Sequence, residues 1–364
     1  MAGRNYVAAI GPSYHLDDRK AAVQTAINCY LEQVEGLGET RILTQVSAPG
    51  LLQYLDLGAE IRGQRDVEGR WFVVAGSTLF EIVDDVAISR GTLSSASGAV
   101  GMAHNNTQLM IVDGAVGYVF AMGTNVLSAI TSPGWRGSYS ADFIDGYVIL
   151  VAPNTDQFYI TALDDASTLD ALDFTSADAQ PDNIVSTLVL HRELILLGKY
   201  TTEIWVNSGG GMFPFVRNNS VQIGIGCVGK GAAVVATESV FWIGQTRNGT
   251  GIVYRMEGHA ARRISTRAME ELLAKSTDLS GATMWTYQVE GHEFVGINAP
   301  GMRTTLVYDA ALQQWHERAE WLDGWAPLRV TNVCFTNSSQ YAGVAAGKLY
   351  KIDTKTYTLG GDPL

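Results

Sequence analysis

Cysteine and long apolar runs are scarce in this sequence, and their scarcity argues against two classes of protein. Only 3 of the 364 residues are cysteine (Cys29, Cys227 and Cys334), and none lies in a CxxC pair. Neither a disulfide framework nor a cysteine zinc site is indicated, and we interpret all three as small buried residues in a reducing compartment. No apolar run approaches the roughly 18 residues of a membrane span, so we expect no membrane insertion.

Charge is also sparse, and it is biased to one sign. Charged residues make up 17% of the chain, and 37 acidic side chains against 25 Lys and Arg give a net charge of −12. This balance argues against a dedicated nucleic-acid binder, because binding to phosphate backbones requires clustered Lys and Arg. An acidic wall would instead suit a passage through which double-stranded DNA slides without specific binding. The N-terminus carries no apolar core of a signal peptide, so we expect a soluble protein made in a cytoplasm.

Motifs that carry catalysis are missing as well. The six histidines are scattered, and neither HExxH nor GxSxG occurs. Gly224 to Gly229 match GxGxxG, but the residues that follow, Ala232–Ile243, have the β-branched composition of a strand, whereas a phosphate loop requires a helix there. We interpret this motif as a structural glycine turn and predict no catalytic, cofactor or metal-binding residues. A glycosidase pair of carboxylates in the mouth of a β-rich fold stays open as an alternative.

A recurring hairpin is the strongest positive signal. The chain has 39 Gly against 9 Pro, and an apolar strand, a Gly/Asp/Asn turn and an aromatic-containing return strand recur about every 40 to 50 residues, which is typical of propeller blades. The copies are Trp71–Ile82, Gln108–Phe120, Tyr147–Ile160, Leu188–Trp205, Val240–Tyr254, Phe294–Tyr308 and Tyr341–Ile352. The sequence therefore predicts an all-β β-propeller of six to eight blades, with seven favoured. An elongated β-sandwich would share much of this pattern.

The first 57 residues differ from the rest. We expect an N-terminal arm with closure strands over residues 1–57 and a propeller domain over residues 58–364. Ala21–Glu32 could be a helix or an extended segment, and the alternation of Ile27, Cys29 and Leu31 favours a strand. Because a propeller must join its first and last blades, we predict that residues Arg41–Leu57 pair with the blade containing Gly347–Ile352.

Two segments interrupt the hairpin pattern. Asp164–Pro181 is acidic and rich in Ser and Thr, which predicts an exposed excursion between blades. Ser265–Lys275 carries an apolar stripe at helical spacing, which predicts one short amphipathic helix that caps a blade edge or serves as a docking surface.

Candidate interface residues come from this helix and from the tryptophan-rich segment Trp315–Trp325. Trp and Arg dominate interface energetics, so the segment could be an exposed anchor patch, and it could equally be blade core with a polar turn. The candidates are Met269, Leu272, Trp315, Arg318, Trp321 and Trp325.

Four runs of sequence together resemble a known family. They are INCYLEQVEG with APGL near the start, EIWVNSGGGMFPFVR at Glu203–Arg217, FWIG followed by GIVYRMEGHAARRISTRAMEE, and Trp285–Arg318. In this order they resemble the packaged-DNA stabilisation proteins of short-tailed bacteriophages, and the resemblance covers residues from about 27 to 352.

The resemblance implies a structural subunit of the virion tail, made in the host cytoplasm. It implies a ring, usually a hexamer, that attaches to the tail adaptor below the portal, forms the tail nozzle and keeps the packaged genome from leaking. Tail fibre, spike or needle proteins are expected to attach to this ring. Two alternatives from other classes stay open: a propeller glycoside hydrolase or lyase that acts on host surface polysaccharide, and a generic protein–protein adaptor.

Overall fold

Antiparallel sheets arranged around one axis dominate the computed structural model. It describes residues 11–14, 25–35, 41–211, 213–359 and 362–363. The first strands of the chain are β1 (Cys29–Glu35) and β2 (Arg41–Ser47), which form a hairpin, and β3 (Gly50–Asp56) follows them. Within Ala21–Glu32, the residues from Cys29 onward form a strand, as predicted. Residues 21–24 lie outside the described residues.

Blades 1 to 4 each contain four strands in chain order. Blade 1 comprises β4 (Ile61–Val67), β5 (Arg70–Ala75), β6 (Thr78–Val83) and β7 (Val86–Thr92). Blade 2 comprises β8 (Gly101–His104), β9 (Gln108–Val112), β10 (Gly117–Ala121) and β11 (Val126–Ala129). Blade 3 comprises β12 (Ala141–Ile144), β13 (Tyr147–Val151), β14 (Gln157–Ile160) and β15 (Phe174–Ser176). Blade 4 comprises β16 (Ile184–Leu190), β17 (Glu193–Gly198), β18 (Thr202–Asn207) and β19 (Phe215–Arg217).

Blades 5 and 6 carry extra elements. In blade 5 the innermost place is shared by β20 (Gly226–Cys227) and β21 (Ala233–Ala236), followed by β22 (Ser239–Thr246), β23 (Gly249–Glu257) and β24 (Ala260–Arg263). The helix α1 (Arg267–Leu273) and a 3-10 turn (Leu279–Gly281) lead to blade 6. Blade 6 comprises β25 (Thr283–Val289), β26 (His292–Asn298), β27 (Thr305–Asp309) and β28 (Gln314–Arg318). A small hairpin of β29 (Glu320–Trp321) and β30 (Trp325–Ala326) follows.

Blade 7 is built from both ends of the chain. Its first three strands are β31 (Val330–Thr336), β32 (Ser339–Val344) and β33 (Lys348–Asp353), and its fourth is β3. Beyond β3 the sheet continues with β34 (Thr358–Leu359) and β35 (Asp362–Pro363). The innermost strands of neighbouring blades adjoin each other around the axis, and β31 returns to β4. The molecule is therefore a seven-bladed β-propeller, and each of the seven predicted hairpins falls in its own blade.

The predicted closure is confirmed for β3. This strand runs antiparallel to β33, from the pair Gly50–Asp353 to the pair Asp56–Lys348. The prediction is wrong for Arg41–Ser47, which pairs with β1 instead of blade 7. The two strands are close in sequence, so pairing them costs little loop-closure entropy. Residues 50–56 are therefore part of the propeller sheet.

Terminal segments also cover the outer edges of blades 6 and 7. Ile27 forms a parallel bridge with Glu317 of β28, and the Asn28 amide donates to the Glu317 carbonyl at 2.8 Å. On blade 7, Leu359 of β34 pairs in parallel with Leu51. Unpaired edge strands are templates for unwanted pairing, and these segments remove two of them.

The two faces of the disk differ in their loops. Tight turns join the first two strands of most blades, and we name this side the turn face. In six blades both turn residues have positive φ, as a type I′ hairpin requires. They are Glu68–Gly69, Asp145–Gly146, His191–Arg192, Thr237–Glu238, Glu290–Gly291 and Asn337–Ser338. The longer segments that lead from one blade to the next, including α1 and the β29–β30 hairpin, lie on the opposite side, the connector face.

The core lies between neighbouring blades, because the inner strands are covered on both sides. In β5, for example, Trp71 to Ala75 are all buried, and Phe72 contacts Phe120 of blade 2 with ring centroids 5.1 Å apart. The same stacking explains the glycine motif. A Cβ on Gly226 would lie 2.4 Å from the Gly198 carbonyl oxygen, and one on Gly229 would lie 2.1 Å from that of Ser280. The glycines allow close backbone approach next to β21, which is a strand, as the sequence predicts.

The predictions for the two segments that interrupt the hairpin pattern have different outcomes. The helix lies within Ser265–Lys275, as predicted. The acidic segment, however, is part of blade 3, since β15 is its outer strand, and Ala166 and Leu169 are buried. A three-residue outer strand gives too little apolar pattern to be recognised in sequence. No helix within the described part of the chain is both long and apolar enough to cross a membrane.

Candidate interaction surface

The helix α1 forms one wall of the candidate surface on the connector face. Thr266 is its N-cap, with extended backbone and a side-chain oxygen that accepts from the Met269 amide. Ala268, Met269 and Leu273 are buried against the core that blades 5 and 6 share. Leu272 is half-buried: it packs at the border of the same core and lines the cleft beside the helix. The helix is thus fixed by one face and presents the other to the surface.

A cleft of about 660 Å³ lies beside this helix. Its other walls are the blade 6 loop that joins β26 to β27, the N-terminal segment at Ile27, and Trp325. The lining residues are Ile27, Leu272, Lys275, Gly301, Met302, Arg303, Thr304, Glu317 and Trp325. The buried Glu317 carboxylate accepts from the Thr304 hydroxyl at 2.6 Å, which fixes the floor of the cleft. The cleft therefore combines apolar walls with two basic side chains at its rim.

The tryptophan hairpin (Glu320–Ala326) stands at one end of the cleft. Trp321 and Trp325 are cross-strand partners, and their rings meet edge to face with centroids 5.2 Å apart. Trp321 is 56% exposed, Trp325 is 45% exposed and Leu322 at the tip is 52% exposed. Large exposed aromatic groups of this kind are typical anchors of protein–protein interfaces.

An ion pair holds the base of this hairpin. Both carboxylate oxygens of the buried Glu320 accept from the Arg329 guanidinium, at 2.8 and 2.9 Å. Bidentate geometry fixes orientation as well as distance. The two tryptophans are therefore presented on a rigid support.

Three predicted interface residues are not on the surface, which corrects that part of the prediction. Met269, Trp315 and Arg318 are all buried within the subunit. The Trp315 indole donates to the Ile264 carbonyl at 2.9 Å, and the Arg318 guanidinium lies over the Tyr287 ring and donates to the Pro49 carbonyl. Both are on β28, which is buried because Ile27 and Asn28 cover its edge. The sequence left open whether this segment is blade core or an exposed patch. Trp315 and Arg318 are blade core, and Trp321 and Trp325 are exposed.

Sequence reasoning missed Met302, Arg303 and Lys275. They come from a blade loop and from the end of α1, and only the fold brings them beside Trp325. A single basic residue in a turn gives no sequence signal of its own.

A second cavity, of about 470 Å³, opens on the turn face between blades 5 and 6 and bears on the hydrolase alternative. Its acidic residues Glu290 and Glu293 both make structural contacts: Glu290 accepts from the Tyr30 hydroxyl at 3.5 Å and Glu293 from the Thr237 amide at 2.8 Å. Among the described residues, no cluster of three or more His, Cys, Asp or Glu side chains could hold a metal ion.

His292 also lines this cavity, and it fastens the β1–β2 hairpin to blade 6. Its two ring nitrogens lie 2.7 Å from an Asp309 oxygen and 2.9 Å from a Glu32 oxygen. Burial and the Glu290 charge raise the pKa of the neighbouring Tyr30 to about 12. Burial, together with the charges of Arg318 and His292, lowers the pKa of His316 to about 3. These groups are structural ties between the N-terminal hairpin and the propeller.

Comparison with known proteins places this geometry in context. Residues 37–357 match the sequence profile of a family described as phage stabilisation, "Bacteriophage P22 Gp10, beta-propeller". No curated protein matches the chain at a significant level.

Solved propellers share the fold at low identity. The computationally designed Ika8 protein is 12% identical, with a TM-score of 0.50 over 90% of this chain and 97% of that one. The N-terminal domain of Nup159 is 10% identical, with a TM-score of 0.52 over 84% of this chain and 94% of that one. YCF48 bound to a D1 peptide is 12% identical, with a TM-score of 0.51 over 84% and 98%. At these identities the similarity supports the propeller fold alone.

Proposed function

This chain belongs to the phage stabilisation family of bacteriophage β-propeller proteins, and on that premise we propose that it is a tail nozzle subunit that retains the packaged genome until ejection. Membership of this family indicates a structural protein of the bacteriophage virion. The proposed role in the tail nozzle is supported by the family match, which extends over all seven blades. The proposed subunit is made in the host cytoplasm and then incorporated into the tail.

The proposed assembly is a ring, with six copies as the expected number. A ring needs surfaces that bind other protein, and the rigid tryptophan hairpin beside the cleft supplies one. The ring would attach above to the tail adaptor below the portal and below to tail fibre, spike or needle proteins.

Charge supports a conduit for DNA better than a DNA-binding site. With a net charge of −12, the protein has no overall attraction for a polyanion. DNA held by many Lys and Arg contacts would have to break them as it leaves, whereas an acidic wall lets the duplex slide. We therefore expect double-stranded DNA to pass without specific binding.

Electron cryo-microscopy of the intact virion tests this proposal. The expected result is a ring of seven-bladed subunits in the tail, coaxial with the portal. A phage with a nonsense mutation in this gene should fill its heads with DNA and then lose it, and loss can be measured as nuclease-sensitive DNA after packaging. A normal tail without this propeller, or full retention of DNA in its absence, would contradict the proposal.

The polysaccharide hydrolase or lyase alternative has less support. The family is one of phage structural proteins, and the turn-face carboxylates Glu290 and Glu293 are engaged in structural contacts. Release of reducing ends from host surface polysaccharide by the purified chain would support the hydrolase or lyase alternative.

A further inference from the structure

Blade 3 carries a second exposed apolar surface, which we name the acidic platform (Leu163–Asp173). It is the connection between the third and fourth strands of the blade. Leu163 is 60% exposed and Leu172 is 77% exposed. Exposed carboxylates of Asp164 and Asp170 lie in the same segment. The platform thus combines apolar anchors with negative charge.

Internal contacts hold the platform in one shape. Ala166 and Leu169 are buried in the core of blades 2 and 3. The Ser132 hydroxyl donates to the Leu169 carbonyl at 2.7 Å and accepts from the Leu169 amide at 3.0 Å. The Arg136 guanidinium donates to the Ala171 carbonyl at 2.8 Å. A surface that is ordered before binding loses little entropy when a partner docks.

The cleft on blades 5 and 6 has the complementary character. Its apolar walls include Leu272, Met302 and Trp325, and its basic side chains are Lys275 and Arg303. The Glu317 carboxylate also lines the cleft, but it is buried, so the exposed charged side chains of the cleft are both basic. The platform offers leucines for the apolar walls and aspartates for the basic rim. Complementary charge of this kind steers association and fixes its register.

The carboxylates of the platform would gain from a basic partner. Burial and the neighbouring Asp170 charge raise the pKa of Asp173. A cation placed beside this pair by a docked partner would relieve that repulsion.

The two surfaces cannot meet within one subunit. The platform is on blade 3 and the cleft is at blade 6, three blades around the disk. At its Asp164 end the platform packs beside the turn Asp145–Gly146, where the Asp164 amide donates to the Gly146 carbonyl at 2.7 Å. Its Leu169–Ala171 part packs against the segment that leads from blade 2 to blade 3, at Ser132 and Arg136. A contact between them must join two copies, and because it joins unlike surfaces it is head to tail.

We propose that the cleft of one copy binds the acidic platform of the next copy, with Arg303 facing Asp170. This contact rests on the proposed function, since it is the repeating interface of the ring. Repeated head to tail, it generates a closed ring when the rotation between copies closes.

A charge-swap experiment on the full chain tests this contact. Sedimentation velocity over a range of concentrations measures self-association of the wild type, of Arg303→Asp, of Asp170→Arg and of an equimolar mixture of the two variants. Each variant alone places like charges at every contact, so its self-association should weaken by about tenfold or more. In the mixture each variant can bind only the other, so association should return and every assembly should alternate the two.

Controls separate this effect from unfolding and from net charge. Lys355→Asp makes the same charge change as Arg303→Asp at an exposed position in the loop between β33 and β34, which lines neither surface, and should associate like the wild type. Leu172→Glu should weaken association, whereas Val126→Glu, at an exposed apolar residue on the outer strand of blade 2, should not. Circular dichroism melts should show that all variants fold.

The outcomes distinguish this inference from the proposed function. No self-association of the wild type at its highest soluble concentration, or swapped variants that associate normally, would overturn the head-to-tail contact. So would a mixture that stays as dissociated as its components. Microscopy of the tail decides the proposed function independently, because a nozzle ring could be built through other surfaces.

Discussion

The closure of the propeller by β3 is open to a direct test at Leu51. This residue is 1% exposed and packs in a cluster with Tyr30, Tyr350 and Leu359, whereas the next residue, Leu52, is 50% exposed. Leu51→Ala removes the same atoms as Leu52→Ala from the same strand. Truncation of a buried leucine costs about 2–5 kcal/mol, and truncation at a half-exposed position costs below about 1 kcal/mol. We therefore expect the free energy of unfolding to fall by about 3 kcal/mol for Leu51→Ala and by less than about 1 kcal/mol for Leu52→Ala.

Urea unfolding followed by tryptophan fluorescence and circular dichroism measures this difference, and hydrogen exchange locates it. In Leu51→Ala the amides of β3 and β33 should lose protection together, because each strand is the other's hydrogen-bonding partner. Deletion of residues 1–57 should destabilise the whole fold for the same reason. Equal losses of stability in the two alanine variants would refute the reasoning, as would exposed β3 amides beside a fully protected β33.

Three further outcomes follow from the described contacts. Thr237 is a β-branched residue at φ 44° in a type I′ turn, so Thr237→Gly should raise the free energy of unfolding by about 1 kcal/mol, and the melting temperature measures it. The pKa of His316 is lowered to about 3 in the folded protein, whereas the pKa of a histidine in the unfolded chain is about 6.5. As pH falls below about 6.5, His316 is therefore protonated in the unfolded state but not in the folded state. Stability should therefore fall by up to about 1.4 kcal/mol per pH unit between about pH 6.5 and 3, and His316→Phe should flatten this part of the profile. A Cβ on Gly226 would collide with backbone atoms, so Gly226→Ala should destabilise by about 1–3 kcal/mol in urea unfolding, whereas Gly224→Ala, with open space around it, should change little.

The second strand of each blade is the part that the sequence predicts best, because most of its residues are buried. Residues such as Trp71–Ala75 form continuous apolar runs, and tight turns separate them from their partners. Outer strands are short and half-exposed, so β15 is hidden within an acidic segment. The family resemblance, drawn from motifs that include outer strands and α1 as well as inner strands, is confirmed over residues 37–357.

The candidate surface was harder to predict because burial there depends on distant parts of the chain. Trp315 and Trp321 are six residues apart in one tryptophan-rich segment, yet one is core and the other is exposed. The difference arises from Ile27 and Asn28, which cover β28 from nearly three hundred residues away. The basic rim of the cleft is likewise assembled from α1 and a blade 6 loop.

The pairing of β3 with β33 also sets the order of events during synthesis. The ribosome produces β3 near the start of the chain and β33 about 300 residues later, which takes roughly 15–60 s at about 5–20 residues per second. During this interval Leu51 and its neighbours have no final partner, so the earliest blades must form beside an unpaired apolar strand. A chain cut short before Lys348 can build six blades but cannot complete the seventh. An unfinished chain therefore keeps β3 as an unpaired strand edge, which is the kind of surface on which aggregation begins.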